Sequence, residues 1–326
     1  MKRTLVSLVA GATLPCLLLL GTPTPTAAHE GGRPDSYRLT GDVGGSRFEG
    51  IGADQRRGRF YVSEVTGGEI HRGTVSSAET EEWLGGDGTD GRVTARGITT
   101  DGAGNVYIAG GPNGIDNDRP DLWVYSRSGE LLAALRAPAG NVFLNDVWVG
   151  PDGAAYFTNS NAPQIFRVAA TGRGYEIELW VDASGTIETV PGFNLGGIVT
   201  SPDRSALVVA QGSTGMLWRF DLADRSVSLV ETADTDLVDA DGLVRRGGRL
   251  TVVRNFSRVI TTLRLAADGS AARLVSERAS DPTRVLTTAA ALRGRILYVD
   301  SLFEEPVATP PYEVVTDPFG PVRAPR

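Results

Sequence analysis

Six stretches of the 326-residue chain follow one template, about fifty residues apart. They read FEGIGADQRRGRFYVSE (48–64), ARGITTDGAGNVYIAG (95–110), NDVWVGPDGAAYFTNS (145–160), LGGIVTSPDRSALVVAQG (195–212), ADGLVRRGGRLTVVRNF (240–256) and TTAAALRGRILYVDSLF (287–303). Each runs from a small residue through alternating apolar positions to a Gly-, Asp- or Pro-rich turn and a second apolar run. Aligned on Gly50, Gly97, Val147, Gly197, Gly242 and Ala289, the copies step by 47, 50, 50, 45 and 47 residues. Regular recurrence at this period is the mark of a repeat architecture, and here the unit is all strand.

A third strand follows each of the first five copies, as in GEIHRG (68–73) and MLWRFDL (216–222), and a fourth follows it, as in YEIELWV (175–181). Four antiparallel strands per unit make a propeller blade. The sixth copy can take a third strand from PYEVV (311–315) but leaves little chain for a fourth. SYRLT (36–40), upstream of the first copy, fits that gap and would join the two ends of the ring. Closure also removes the open sheet edges of a linear array. The fold class is therefore all-β, a six-bladed β-propeller with an N-terminal closing strand.

Lys2 and Arg3 precede an apolar run from Leu5 to Leu20, and Thr26-Ala27-Ala28 offers small residues for cleavage. The run contains Pro15 and is shorter than the 18 or so apolar residues a membrane anchor needs. Residues 1–28 read as a signal peptide and 29–326 as a single domain, which makes the expected product secreted. Cys16, the only cysteine, lies in that leader, so disulfides and thiolate chemistry drop out of the mature chain. The net charge of −7 becomes −9 without Lys2 and Arg3, which disfavours nucleic acid and anionic membrane as partners. A monomer taking a small molecule in the central channel is the expectation. His29 and His71 are the only histidines, too few and too poorly placed for a Ser-His-Asp triad.

In a propeller the innermost strands line the channel, so the residues at their heads meet at one mouth. On this alignment they are Glu49, Arg96, Asp146, Gly196, Asp241 and Thr288. Two like charges about 4 Å apart repel by roughly 1 kcal/mol in water and about 4 kcal/mol at an effective dielectric of 20. Protonation, Arg96 or a bound cation must answer three carboxylates there. Asn145 could add a neutral oxygen, and such a donor set suits Ca²⁺ or Mg²⁺ ahead of zinc. The plainer reading is that each acid caps a turn or binds backbone amides.

With these residues in view, the chain resembles the gluconolactonase and senescence-marker-protein (regucalcin-like) superfamily, six-bladed propellers with one divalent metal in the channel. EGI at Glu49, NDVWVGPDGAAYF from Asn145, GIVTSPDRSALVVA from Gly197 and DGLVRRGGRLTVV from Asp241 carry the resemblance. It implies Glu49 and Asp241 as metal ligands, Asn145 as a ligand or close neighbour, and Asp241 as the base that activates water. The implied cofactor is a divalent cation, Ca²⁺ first, with Mg²⁺, Mn²⁺ or Zn²⁺ behind it, and the implied activity is lactone or ester hydrolysis. Two positions depart from the family pattern. Gly196-Gly197 stands where the family has asparagine-glycine, and Asn194 could stand in only if the backbone bulges. Phe143 occupies the place of a substrate-binding arginine, which shifts the expected ligand towards a more apolar one. The rival readings are a non-catalytic extracellular propeller that binds a protein, peptide or glycan, and a metal-free, strictosidine-synthase-like propeller. The insertion GGPNGIDNDRP (110–120) is a candidate lid over the mouth.

Overall fold

The computed structural model describes residues 32–111 and 119–320. The leader expected over 1–28 and most of the candidate lid lie outside the described residues. The unit from Arg33 onward is built from six four-stranded antiparallel sheets, with no helix among the described residues. The first strand among the described residues is β1 (Ser36–Leu39). Blade 1 is β2 (Phe48–Asp54), β3 (Arg59–Glu64), β4 (Ile70–Thr74) and β5 (Glu81–Leu84). Blade 2 is β6 (Ala95–Thr100), β7 (Val106–Gly110), β8 (Leu122–Tyr125) and β9 (Leu131–Leu135). Blade 3 is β10 (Leu144–Val149), β11 (Ala155–Asn159), β12 (Gln164–Thr171) and β13 (Gly174–Asp182). Blade 4 follows with β14 (Leu195–Thr200), β15 (Ala206–Gln211), β16 (Met216–Asp221) and β17 (Val227–Leu229). Blade 5 comprises β18 (Ala240–Arg246), β19 (Arg249–Arg254), β20 (Val259–Leu265) and β21 (Ala272–Ala279). Blade 6 has β22 (Leu286–Leu292), β23 (Arg295–Asp300) and β24 (Tyr312–Val315), and β1 supplies its outer strand.

The expected closure is present in detail. Ser36 pairs with Val315 and Leu39 with Tyr312, so the two ends of the domain share one sheet. Tyr37 and Leu39 join Phe60, Leu297 and Val314 in a common core between blades 6 and 1. That burial gives the closing strand an apolar contribution beyond its hydrogen bonds, at about 25 cal/mol per Å² removed from water.

In blade 4 the inner strands β14 and β15 are buried along their whole length because neighbouring blades cover both faces, so they lack the polar alternation of a half-exposed strand. Each inner strand also carries one β-bulge at the same place, between Phe48 and Ile51 in β2 and at the matching positions of the other five. A bulge inserts one residue and re-aims the side chains around it. Its second residue is glycine in four blades, for a steric reason: a Cβ on Gly50 would lie 2.1 Å from the Arg96 carbonyl oxygen, and one on Gly197 2.2 Å from that of Asp241.

Candidate functional site at the channel mouth

The bulge register corrects the alignment of the copies. Glu49 matches Arg96, Asn145, Gly196, Asp241 and Thr287, all first residues of a bulge. Asp146 and Thr288 instead match Gly50, Gly97, Gly197 and Gly242, one position further in. Aligning on glycine hid this, because blades 3 and 6 carry a side chain where the others have none. These residues also lie within the inner strands, not ahead of them.

Two layers follow. The outer layer contributes to a concave pocket of about 250 Å³, lined by Glu49, Arg96, Asn145, Gly196 and Asp241 together with Phe143, Phe193, Asn194, Asn255, Phe256 and Phe303. Asp146 sits deeper. It borders a cavity of about 10 Å³ on the channel axis, shared with Glu49, Asn145, Asp241 and Thr288. That space is about the size needed for one water or one ion. Glu49, Asp146 and Asp241 border this one cavity and act on one another as like charges, although their oxygens do not all three lie within 4.8 Å of one another. The donor set at the mouth is two carboxylates and an amide.

Each side chain has a defined local role. The Arg96 Nε lies 4.0 Å from Glu49 Oε2, and its guanidinium stands 4.0 Å over the Phe143 ring. Phe143 therefore seats an arginine from the adjacent blade. Burial pushes Glu49 well above the usual carboxylate range; Arg96 opposes the shift, and Asp241 and Asp146 add to it. Burial, then Asp146, lifts Asp241 to about 7, while Asn255 Nδ2, donating to Asp241 Oδ2 at 2.8 Å, holds that carboxylate in place. Asp146 also rises to about 7 through burial, against the backbone amides of Val147 and Ile198 that donate to it. Such shifts collect at functional sites, and also at structural ion networks.

Asn194 does not replace the missing ligand. Its Nδ2 donates to the carbonyls of Ser160 (3.1 Å) and Val190 (3.0 Å), and its Oδ1 accepts from Val190 N (3.0 Å) and Gln211 Nε2 (3.2 Å). The bulge that would have re-aimed it falls at Gly196 and Gly197. Asn194 is a structural tie, so Asn194→Ala should cost about 1–3 kcal/mol in a denaturant melt through stranded partners, and ion binding by the folded variant should be unchanged. His71 is likewise structural: it is 1% exposed, its Nε2 is 3.4 Å from Glu64 Oε2, and its ring meets Phe48 edge-on.

Of the four phenylalanines in the pocket wall, only Phe143 was legible in the sequence. Phe193 packs edge-on against Phe143 at 5.8 Å, and Phe193 and Phe256 are 51% and 41% exposed. Phe256 and Phe303 follow the ends of β19 and β23, which return to the mouth, so their position after each second apolar run was the available signal. A second acidic group, Asp42, Glu64 and Glu69, brings oxygens within 4.8 Å near the same face, with Glu64 already bonded by Thr66 and His71.

The family model for the SMP-30/gluconolactonase/LRE-like region matches residues 48–279, which takes in the inner strands of blades 1–5 and every pocket-lining residue named above except Phe303. The chain belongs to the SMP-30/gluconolactonase/LRE-like family. No curated protein sequence matches it significantly. Among solved structures it is similar to the major allergen Mala s 1 of Malassezia sympodialis, with a TM-score of 0.64, 16% identity, and 87% of this chain and 96% of that one covered. It is also similar to a gluconolactonase of Xanthomonas campestris (TM-score 0.58, 16% identity, coverage 79% and 84%). A calcium-binding regucalcin of Agrobacterium tumefaciens gives a TM-score of 0.58 at 16% identity, covering 85% and 96%. At these identities the structural likeness shows the shared propeller; the family rests on the sequence model.

Proposed function

We propose that this family member is a secreted, divalent-metal-dependent hydrolase of small esters or lactones that carry an apolar substituent. One observation supports the reading above the rest: Glu49, Asn145 and Asp241 present oxygen donors in one pocket whose wall is formed by Phe143, Phe193, Phe256 and Phe303. Oxygen donors of this kind fit a hard cation, and the 10 Å³ cavity between them has room for one. The related calcium-binding regucalcin favours Ca²⁺ as the first ion to try.

When bound, the ion supplies polarisation of a substrate carbonyl and stabilisation of developing negative charge. The chain's own residues supply the rest. The phenylalanines bury the apolar substituent and exclude water from one side of the scissile group. Arg96 offers guanidinium donors to an acyl or ring oxygen from above Phe143. Asp241, its Oδ2 held by Asn255, keeps Oδ1 free of that bond and can accept a proton from an attacking water. Gly196 favours one second reading, binding without turnover, because it contributes no donor to the ligand ring.

The test is hydrolysis of alkyl-substituted lactones and aryl esters by chelator-treated protein with and without Ca²⁺, Mg²⁺, Mn²⁺ or Zn²⁺. Turnover should need an added ion, and Asp241→Asn should cost about 10²-fold or more in kcat. Activity that survives both chelation and Asp241→Asn contradicts the mechanism. Ion binding without turnover supports the second reading.

A further inference from the structure

The channel has a second mouth, where the inner strands end. A well of about 210 Å³ opens there, and its inner wall is a complete ring of equivalent residues, one per blade: Ile51, Ile98, Val147, Ile198, Leu243 and Ala289. All six are buried. The smallest, Ala289, is followed by Ala290 and Ala291, which also line the well, so these positions of blade 6 present only methyl groups to it. A dry apolar cavity of about 150 Å³ is enough to hold a benzene-sized guest, so this volume admits an aromatic ring or a short alkyl chain.

Charge is layered along the well. At its inner end stands Asp146, which also borders the axial cavity. At its rim stands Arg245, whose Nη1 donates to the Gly247 carbonyl at 2.8 Å and Nη2 to Thr200 Oγ1 at 3.3 Å. Both partners are neutral. The Arg245 Nε is buried without an acceptor, and the guanidinium feels the nearby Arg204 as a like charge. A guanidinium has five donors and no acceptor; each Nη of Arg245 has one N–H beyond the bonds named, and these, not the buried Nε, give it capacity for an incoming oxyanion. On the blade 6 side, Arg293 donates to the Arg56 carbonyl, which places another cation near Gln55 of the rim. A guest with an apolar body and an anionic end is thus oriented by the well, body towards the ring and anion towards the rim. An anion at the inner end would meet Asp146, and a cation at the rim would meet the arginines.

We infer that this second mouth is a binding site for a small aryl or alkyl carboxylate, with the hydrocarbon in the six-residue ring and the carboxylate on Arg245. The site does not depend on the metal or on hydrolysis at the first mouth. Its guest would be a carboxylic acid with one small aryl or alkyl group, a chemistry that ester hydrolysis also releases.

The test uses three probes with one body and three charges: 4-phenylbutyrate, its neutral primary amide, and 4-phenylbutylamine. Each is titrated by calorimetry into chelator-treated protein, where Trp148, which lines the well, gives a second optical signal. The carboxylate should bind at least tenfold more tightly than the amide, as one charge-assisted hydrogen bond provides, and the amine should bind more weakly still. Arg245→Gln should remove the carboxylate's advantage and leave the amide's affinity unchanged. Ala291→Phe, at a partly exposed wall position, should weaken all three, and Phe193→Ala at the first mouth none. Equal binding of carboxylate and amide overturns the assignment, as does a carboxylate preference that survives Arg245→Gln. Loss of binding in Phe193→Ala also overturns it, because the guest would then occupy the other mouth. If Ala291→Phe fails to fold, the Arg245→Gln comparison alone decides.

Discussion

Metal-free protein should melt at a higher temperature at pH 5 than at pH 8, by about 5–10 °C, and saturating Ca²⁺ should remove most of the difference. Asp241 and Asp146 both sit at about 7 in the folded chain against an ordinary 3.8. Burial also raises Asp300, to about 6, and Glu49 moves in the same direction. Raised carboxylates hold protons in the folded state that the unfolded chain releases from about pH 4 upwards. Stability therefore falls as pH rises, and the contribution is fully present below the unfolded values and lost through about pH 7. A tenfold difference in proton affinity between the folded and unfolded chain corresponds to about 1.4 kcal/mol, so two coupled groups give a few kcal/mol. Each kcal/mol moves the melt of a domain this size by about 2–4 °C. Carboxylates displaced the other way, such as Asp152 and Asp236, lose stability only near and below their ordinary values, outside this window. Asp241→Asn should flatten the profile of the metal-free protein and raise its melt at pH 8, while removing the rescue by Ca²⁺. A metal-free melt that rises from pH 5 to pH 8 would contradict the buried-charge description of the channel.

Gly196→Asn should tighten Ca²⁺ binding ten- to a hundredfold. A Cβ at this position meets nothing nearer than Asn145 Oδ1 at 3.7 Å and the Asp241 carbonyl at 3.8 Å, which is ordinary contact. The backbone there is not in the left-handed region, so an asparagine incurs no conformational strain. It would bring a neutral oxygen to the ring from the one blade between Asn145 and Asp241. Affinity at oxygen sites follows ligand number and charge, and tenfold corresponds to about 1.4 kcal/mol, a modest return for a protein donor in place of a water. Gly196→Ala is the control, filling the same space without a donor, and should leave affinity within a fewfold of the starting protein. Equal affinities for the asparagine and alanine variants would mean that no ion sits beside Gly196.

The sequence made the architecture readable because one pattern recurs six times, and each blade solves the same burial problem with the same strand order. Even the closing strand was visible, since the sixth copy lacks chain for a fourth strand and Ser36–Leu39 lies upstream of the first copy. The site was readable only to within one residue. A bulge has no signature of its own, and the glycine at its second position in four blades is replaced by Asp146 and Thr288 in the other two, so counting from glycine slipped the register there. Asn194 could not be assigned from the sequence either. Its carboxamide is spent on Ser160, Val190 and Gln211, contacts set by how blades 3 and 4 pack. Arg96 over Phe143 belongs to the same class, a pairing across neighbouring blades whose residues lie 47 positions apart. The second mouth stayed hidden for the opposite reason: Ile51, Ile98, Val147, Ile198 and Leu243 are ordinary strand residues, and only their closure into a ring makes them a pocket.

The most direct test of the central claim is calorimetric titration of Ca²⁺ into chelator-treated protein at pH 7.5, beside the Glu49→Gln/Asp241→Asn double variant. One ion per chain is expected for the unmodified protein, with a stabilisation of about 2.7 kcal/mol at a hundredfold excess over Kd. The double variant should bind none at the same concentrations while staying folded. Failure of the unmodified protein to bind Ca²⁺ or any of Mg²⁺, Mn²⁺ and Zn²⁺, or equal binding by the double variant, would contradict a metal centre at Glu49, Asn145 and Asp241.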